Sequence, residues 1–190
     1  MIADTALDQA DDAALVRRAQ QELPYRTGAY EVLIRRHGAR LRGLCRRWVH
    51  DYAEAEDLAQ EVMLKVFFQL PRFRADAAFT SWLWRIAANQ CMDHLRKQAA
   101  RPLDLLEELP DQSDGGRNRS LTETELDAHR LLALLAPEER MVVLLRLFAD
   151  LEFEEIASAL EIGTSAAKMR YQRALQRLRE TVAPGAVSAG

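Results

Sequence analysis

Between residues 72 and 96 the side chains needed to hold an unstacked nucleic-acid base occur close together. "PRFRADAAF" supplies Arg72, Phe73, Arg74 and Phe79, and "FTSWLWRIAANQ" adds Trp82, Trp84, Arg85 and Asn89. Aromatic rings are stacking platforms, arginines neutralise phosphates, and an amide can hydrogen-bond a base edge. A helix turns roughly 100° per residue, so Trp82 and Trp84 must point in nearly opposite directions. Leu83, Trp84, Ala87, Cys91 and Leu95 share one helical face, and Trp82, Arg85, Asn89, Asp93 and Arg96 share the other. Trp84 is therefore expected in the core and Trp82 on the outside. The competing assignment has Trp82 capping a satellite apolar cluster.

A second set lies in "LEFEEIASALEIGTSAAKMRYQRALQRLRE", residues 151–180. A short helix, a tight break at Gly163 and a longer helix from Thr164 have the layout of a helix-turn-helix. Phe153, Ile156, Ala157 and Leu160 supply the first inner face. Ala167, Tyr171, Ala174, Leu175 and Leu178 supply the second. The outer arc presents Thr164, Ser165, Lys168, Met169, Arg170, Gln172, Arg173, Gln176 and Arg177. Most charged faces are merely solvated. This one is strongly basic in a chain whose net charge is −3, and it follows a glycine turn, so duplex DNA is the expected ligand.

A third face is on "AEDLAQEVMLKVFFQL", residues 55–70. Ala59, Met63, Val66, Phe67 and Leu70 read as the inner side. Asp57, Leu58, Glu61, Val62, Lys65 and Gln69 read as the outer, where Leu58 and Val62 among charges suit a docked protein.

These faces require helices. The 190 residues are 48% apolar and 29% charged, and Ala, Leu, Arg and Glu dominate over few Gly and Pro, which predicts an all-α globular chain. Helical patterning from 12 to 100 breaks at Pro24, Gly28, His50–Asp51 and Pro71–Asp76. Residues 101–120, with two prolines and a Gly pair, read as a flexible linker in which "LDLLEEL" could form a short helix. Ser120 and Glu123 form a capping box opening a second helical block, 121–182, with Pro137 at a first helical position. The tail 183–190 is expected to be disordered. The expectation is two small helical domains on a tether, the N-terminus acidic (Asp4, Asp8, Asp11, Asp12) and the last helix basic.

Taken in order, "DLAQEVMLKVF", "FRADAAFTSWLWRIAANQCMDHLRK" and a distal helix-turn-helix ending "RALQRLRE" resemble an extracytoplasmic-function (ECF) sigma factor of bacterial RNA polymerase, in the sigma-70 superfamily. The likeness runs from about residue 12 to 180. It implies sigma domain 2 over 12–100 and sigma domain 4 over 121–182, with the family's missing middle domain matching the linker. By resemblance, Asp57, Leu58, Gln60 and Glu61, with Val62 and Lys65 beside them, fall in the motif that docks on the polymerase clamp. Trp82 falls at the upstream edge of melted DNA, and Asn89 with the preceding loop at a pocket for a flipped-out base. Arg74, Phe79, Arg85, Asp93 and Arg96 flank this minus-10 surface, and the helix-turn-helix reads the minus-35 element. The partners implied are core polymerase, promoter DNA and an anti-sigma factor, often membrane-anchored, in a stress or envelope-signal response. The chain departs from the family pattern in having Ala75 where "FRGD" has glycine. Met169 stands where the family usually has a small or polar residue.

The alternative is a self-contained helix-turn-helix regulator with an N-terminal sensing domain, which would bind duplex DNA without polymerase. No Gly-rich phosphate loop, nucleophile motif or paired carboxylates stand in a credible context, so an enzyme is not expected, nor is a cofactor. Cys91 and His94, with His37, Cys45 and His50, are too widely spaced for a structural metal site. Two cysteines suit a reducing compartment. With no basic start followed by an apolar run and no span of roughly 20 apolar residues, the expected location is cytoplasmic, where an anti-sigma factor could hold the protein at the inner membrane face.

Overall fold

The computed structural model describes residues 7–100 and 123–182. The linker, the capping box at Ser120 and the tail lie outside the described residues. Among those described, regular structure is entirely helical. The N-terminal half comprises α1 (Asp12–Glu22), α2 (Gly28–Trp48), α3 (Tyr52–Gln69), a 3-10 turn (Leu70–Arg72) and α4 (Phe79–Ala99). The C-terminal half comprises α5 (Glu123–Ala133), α6 (Pro137–Leu147), α7 (Phe153–Leu160) and α8 (Thr164–Val182).

Local chemistry fixes the helix ends. The Asp11 carboxylate accepts from the Ala14 amide at 2.6 Å, and Asp51 accepts from the Glu54 amide at 2.8 Å. Each satisfies a donor that the first turn leaves unpaired. Pro137 opens α6, where its missing N–H costs nothing. Glu152 and Glu155 form a reciprocal capping box at the start of α7. The turn after α7 differs from expectation. The left-handed residue that stops the helix is Glu161, at φ 54°, not Gly163.

The longer helices cross-brace. The Trp48 indole N–H donates to the Cys91 carbonyl at 2.8 Å, joining α2 to α4. The Tyr30 hydroxyl donates to the Met63 carbonyl at 2.7 Å, joining α2 to α3, and burial pushes its pKa up to about 12. The Gln20 amide donates to the carbonyls of Leu70 and Phe73, at 3.2 and 2.6 Å, so α1 sets the loop leading to α4. Trp84, Leu33, Leu44, Leu58 and Leu83 form the N-terminal core, and Met141, Leu144, Leu145 and Ile156 the C-terminal one. The halves touch, with α4 packed against α7.

Candidate nucleic-acid interface

Helix α4 is walled in on several sides, and that changes the role of Trp82. Its inner face is as expected, with Leu83, Trp84, Ala87 and Cys91 at 0–1% exposure. Trp82, expected outside, is only 7% exposed. Phe73 lies on it with ring centroids 4.7 Å apart and planes 32° apart, and Phe79, also buried, is 5.9 Å away. Such pairs contribute about 0.5–1.5 kcal/mol each beyond the area they bury. Trp82 is therefore the floor of an aromatic cluster. A periodicity count over α4 alone could not anticipate a second wall supplied by the loop 73–78 and by α7.

The loop nevertheless leaves room beside the indole. A cavity of about 290 Å³ is lined by Arg72, Phe73, Arg74, Asp76, Trp82 and Arg85, with Ala77. Ala75, between Arg74 and Asp76 of its wall, adopts φ 58°, the left-handed conformation that glycine takes without penalty. Arg74 is exposed there, while Arg85 extends across to Glu161 at 2.9 Å. Asn89 is exposed but is not part of the cavity wall. Asp93 and Arg96 pair with each other at 2.8 Å on the far end of α4. Of the expected minus-10 set, then, Arg74, Trp82 and Arg85 converge, Phe79 supports them from the core, and the other three do not join them.

Helix α3 required a similar correction. Leu58 and Val62, expected at the surface, are 2% and 0% exposed. The helix is wedged between α2 and α4, so its buried arc is wider than a one-sided reading allows. Ala59, Val66 and Leu70 are buried as expected, and Met63 and Phe67 are half-buried. The exposed stripe is Asp57, Gln60, Glu61, Leu64, Lys65 and Phe68. Leu64 and Phe68, 51% and 71% exposed, are the apolar members that sequence reasoning missed. The available signal was the helical spacing, Leu64 lying 3–4 residues after Gln60 and Glu61, and Phe68 3–4 after Leu64 and Lys65. Gln90, buried on α4, donates to Glu61 and accepts from Lys65.

Helix α8 packs on one side, as its pattern predicts. Ala167 and Ala174 are fully buried, and Tyr171, Leu175 and Leu178 are half-buried. Ser165, Lys168, Met169, Gln172, Arg173 and Arg177 are exposed, and Thr164 and Arg170 are half-exposed. Two of its cations meet carboxylates of the same half: Lys168 lies 3.8 Å from Glu154 and Arg177 3.6 Å from Glu139. Among the described residues, no three His, Cys, Asp or Glu side chains gather to hold a metal ion. None of the described helices is long and apolar enough to cross a membrane.

Comparison with known proteins bears on both halves. Residues 33–101 match the model for sigma-70 region 2, and residues 125–178 that for sigma-70 region 4. The chain is 30% identical to the RNA polymerase sigma-H factor of Pseudomonas aeruginosa, over 94% of this chain and 97% of that one. The chain belongs to the sigma-70 family, among the ECF sigma factors. It is 36% identical to the sigma factor CarQ of Myxococcus xanthus over 80% of its length (88% of CarQ), and 29% identical to the ECF sigma-E factor of Escherichia coli over 93% (97% of sigma-E). In fold it is similar to CnrH, solved with the cytosolic domain of CnrY. The TM-score is 0.69 at 23% identity, covering 90% of this chain and 96% of CnrH. As a sigma factor it is a non-enzymatic initiation factor that works with core RNA polymerase and promoter DNA.

Proposed function

We propose how this sigma factor divides its tasks among three surfaces. The stripe Asp57, Gln60, Glu61 and Lys65, with Leu64 and Phe68, docks on polymerase. The cavity beside Trp82 receives a flipped base of the minus-10 element, with Arg74 and Arg85 neutralising phosphates. The outer arc of α8 reads the minus-35 duplex through Ser165, Met169, Gln172 and Arg173, and Lys168, Arg170 and Arg177 hold the backbone. Asn89, Asp93 and Arg96 contact the strand beyond the cavity. Domain 2 spans 12–100 and domain 4 spans 121–182. The protein acts in the cytoplasm under an anti-sigma factor; the similar sigma factor RpoE of Bartonella quintana was solved in complex with the anti-sigma factor NepR, and CnrH with the cytosolic domain of CnrY.

The cavity carries this reading. At about 290 Å³, walled by two aromatic rings and three arginines, it offers what an unstacked base requires. Membership of the family sets aside the self-contained regulator.

Core binding tests the first surface. Gln60→Arg and Phe68→Ala lie on exposed positions and should weaken polymerase affinity by about 2 kcal/mol, as interface anchors do, without altering the melting temperature. Unchanged affinity in both variants, by fluorescence titration against core enzyme, would remove α3 from the interface. An electrophoretic shift with and without core enzyme tests the rest: promoter binding should require polymerase.

A further inference from the structure

A cavity of about 550 Å³ at the join between the halves has no part in the three surfaces assigned above. Ala39, Arg42, Gly43, Arg46 and Arg47 recur in it at three- and four-residue spacing, so one face of α2 forms its floor. Tyr52 of α3, His129 of α5 and Phe148 at the end of α6 close other sides. His50 completes the rim, and its ring meets that of His129 edge to face at 5.2 Å.

The wall is rich in cations and poor in carboxylates. Among its described residues only Asp51 is acidic, and that carboxylate already caps α3 by accepting from the Glu54 amide at 2.8 Å. Arg46 is committed to Glu56 at 2.8 Å and to the Tyr52 hydroxyl at 2.9 Å. Arg47 lies over the Phe148 ring at 3.7 Å, and Arg140 donates to its carbonyl. Arg42 differs from these. It is half-buried, and among the described residues no carboxylate or carbonyl meets its guanidinium. The excess of positive charge also reaches His129, whose pKa is lowered by burial and then by His50, Arg140 and Arg47. A partly buried charge without a counter-charge costs stability, and an anion in the cavity would offset that cost.

Size and lining narrow the class of anion. The volume falls in the range of small-molecule sites, roughly 300–1,000 Å³, and exceeds what inorganic phosphate alone would fill. Phe148, Ala55 and Ala128 add an apolar side opposite the cations of α2. Guanidinium groups hold phosphate oxygens through paired, charge-assisted hydrogen bonds. We infer that the cavity is a binding site for a nucleoside phosphate, with Arg42 as the principal phosphate ligand and the base against the apolar side. The ligand draws on both halves, since the arginines belong to the N-terminal one and His129 and Phe148 to the C-terminal one. The site shares no residue with the surfaces assigned to polymerase and DNA, so it stands or falls apart from them.

The test titrates ADP, adenosine and pyrophosphate against the free, full-length chain by isothermal calorimetry. ADP should bind with a dissociation constant of about 0.1 mM or tighter, and each of its two halves about tenfold more weakly or worse. Two substitutions act on the site from outside the cores. Arg42→Ala removes a cation with no other described partner, and Ala39→Glu places a carboxylate at an exposed position on the floor. Both should weaken ADP binding by about tenfold without lowering the melting temperature. Pyrophosphate bound as tightly as ADP would overturn the nucleoside assignment. Absence of ADP binding, or binding indifferent to both substitutions, would overturn the site itself. Displacement of ADP by an equivalent amount of a short DNA duplex of unrelated sequence would overturn it too, by showing that these arginines hold a nucleic-acid backbone.

Discussion

Helices α4 and α8 are both long, at 21 and 19 residues, and both are assigned to DNA, but they meet their surroundings differently. Helix α8 packs along one stripe and offers the rest to solvent, so most of its DNA-facing side chains are free of structural duty, Lys168 and Arg177 being paired with Glu154 and Glu139. Helix α4 is enclosed by α2, α3, the preceding loop and α7, and the cavity at its N-terminal end has a core tryptophan as its floor. On α8 recognition through Ser165, Met169, Gln172 and Arg173 can vary without cost to folding. On α4 the residue assigned to promoter melting also holds the domain together.

The largest effect expected from that contrast is at Trp82. Trp82→Ala should destabilise the protein by about 3 kcal/mol or more, because it removes a buried ring, and it should also impair promoter opening. An unchanged melting temperature would place the indole outside the core and erase the contrast. Arg173→Ala on α8 should leave the melting temperature alone, cost about 1–3 kcal/mol in promoter binding and relax selectivity at one or two base pairs. Arg177→Ala should weaken all promoters alike and flatten the salt dependence by about one unit. Transcription from a library of minus-35 variants at two salt concentrations separates them. Equal, sequence-blind losses would mean that α8 holds DNA without reading it.

Acid should act on the join between the halves. Burial lowers the His129 pKa, and the neighbouring His50, Arg140 and Arg47 lower it further, against the hydrogen bond that its ring donates to the Arg46 backbone, which raises it. A proton therefore binds His129 more readily, near the ordinary value of about 6.5, when the halves are apart than when they are packed together. The contact between the halves is at full strength above that value and weakens as pH falls below it. A radius of gyration that stays constant from neutral to mildly acidic pH would show His129 indifferent to that contact. The smallest effect is at Ala75: Ala75→Gly should relieve the left-handed backbone and stabilise the protein by up to about 1 kcal/mol, read from thermal melts.

The same contrast explains what was legible in the sequence. Helix ends were, because Pro24, Asp51 and Pro137 act locally. The α8 face was, because a helix buried on one side obeys a single period. Trp82, Leu58 and Val62 were misplaced because α3 and α4 are buried on more than one side, and there the period fits several faces equally well. Leu64 and Phe68 were hidden by the same ambiguity. Nor could local pattern announce that Glu161 meets Arg85, a contact across 76 positions of chain.

Gln90 gives the N-terminal half a mechanical property. Its amide is a strut between helices, giving its N–H to Glu61 and its oxygen to Lys65, next in sequence to exposed Asn89. Whatever pulls on Glu61 or Lys65 pulls on the spine of α4. With leucine in place of Gln90, Glu61 and Lys65, four apart on one helix, could pair with each other across a single turn. The charges would remain while the strut was gone, and α3 and α4 would carry their loads separately.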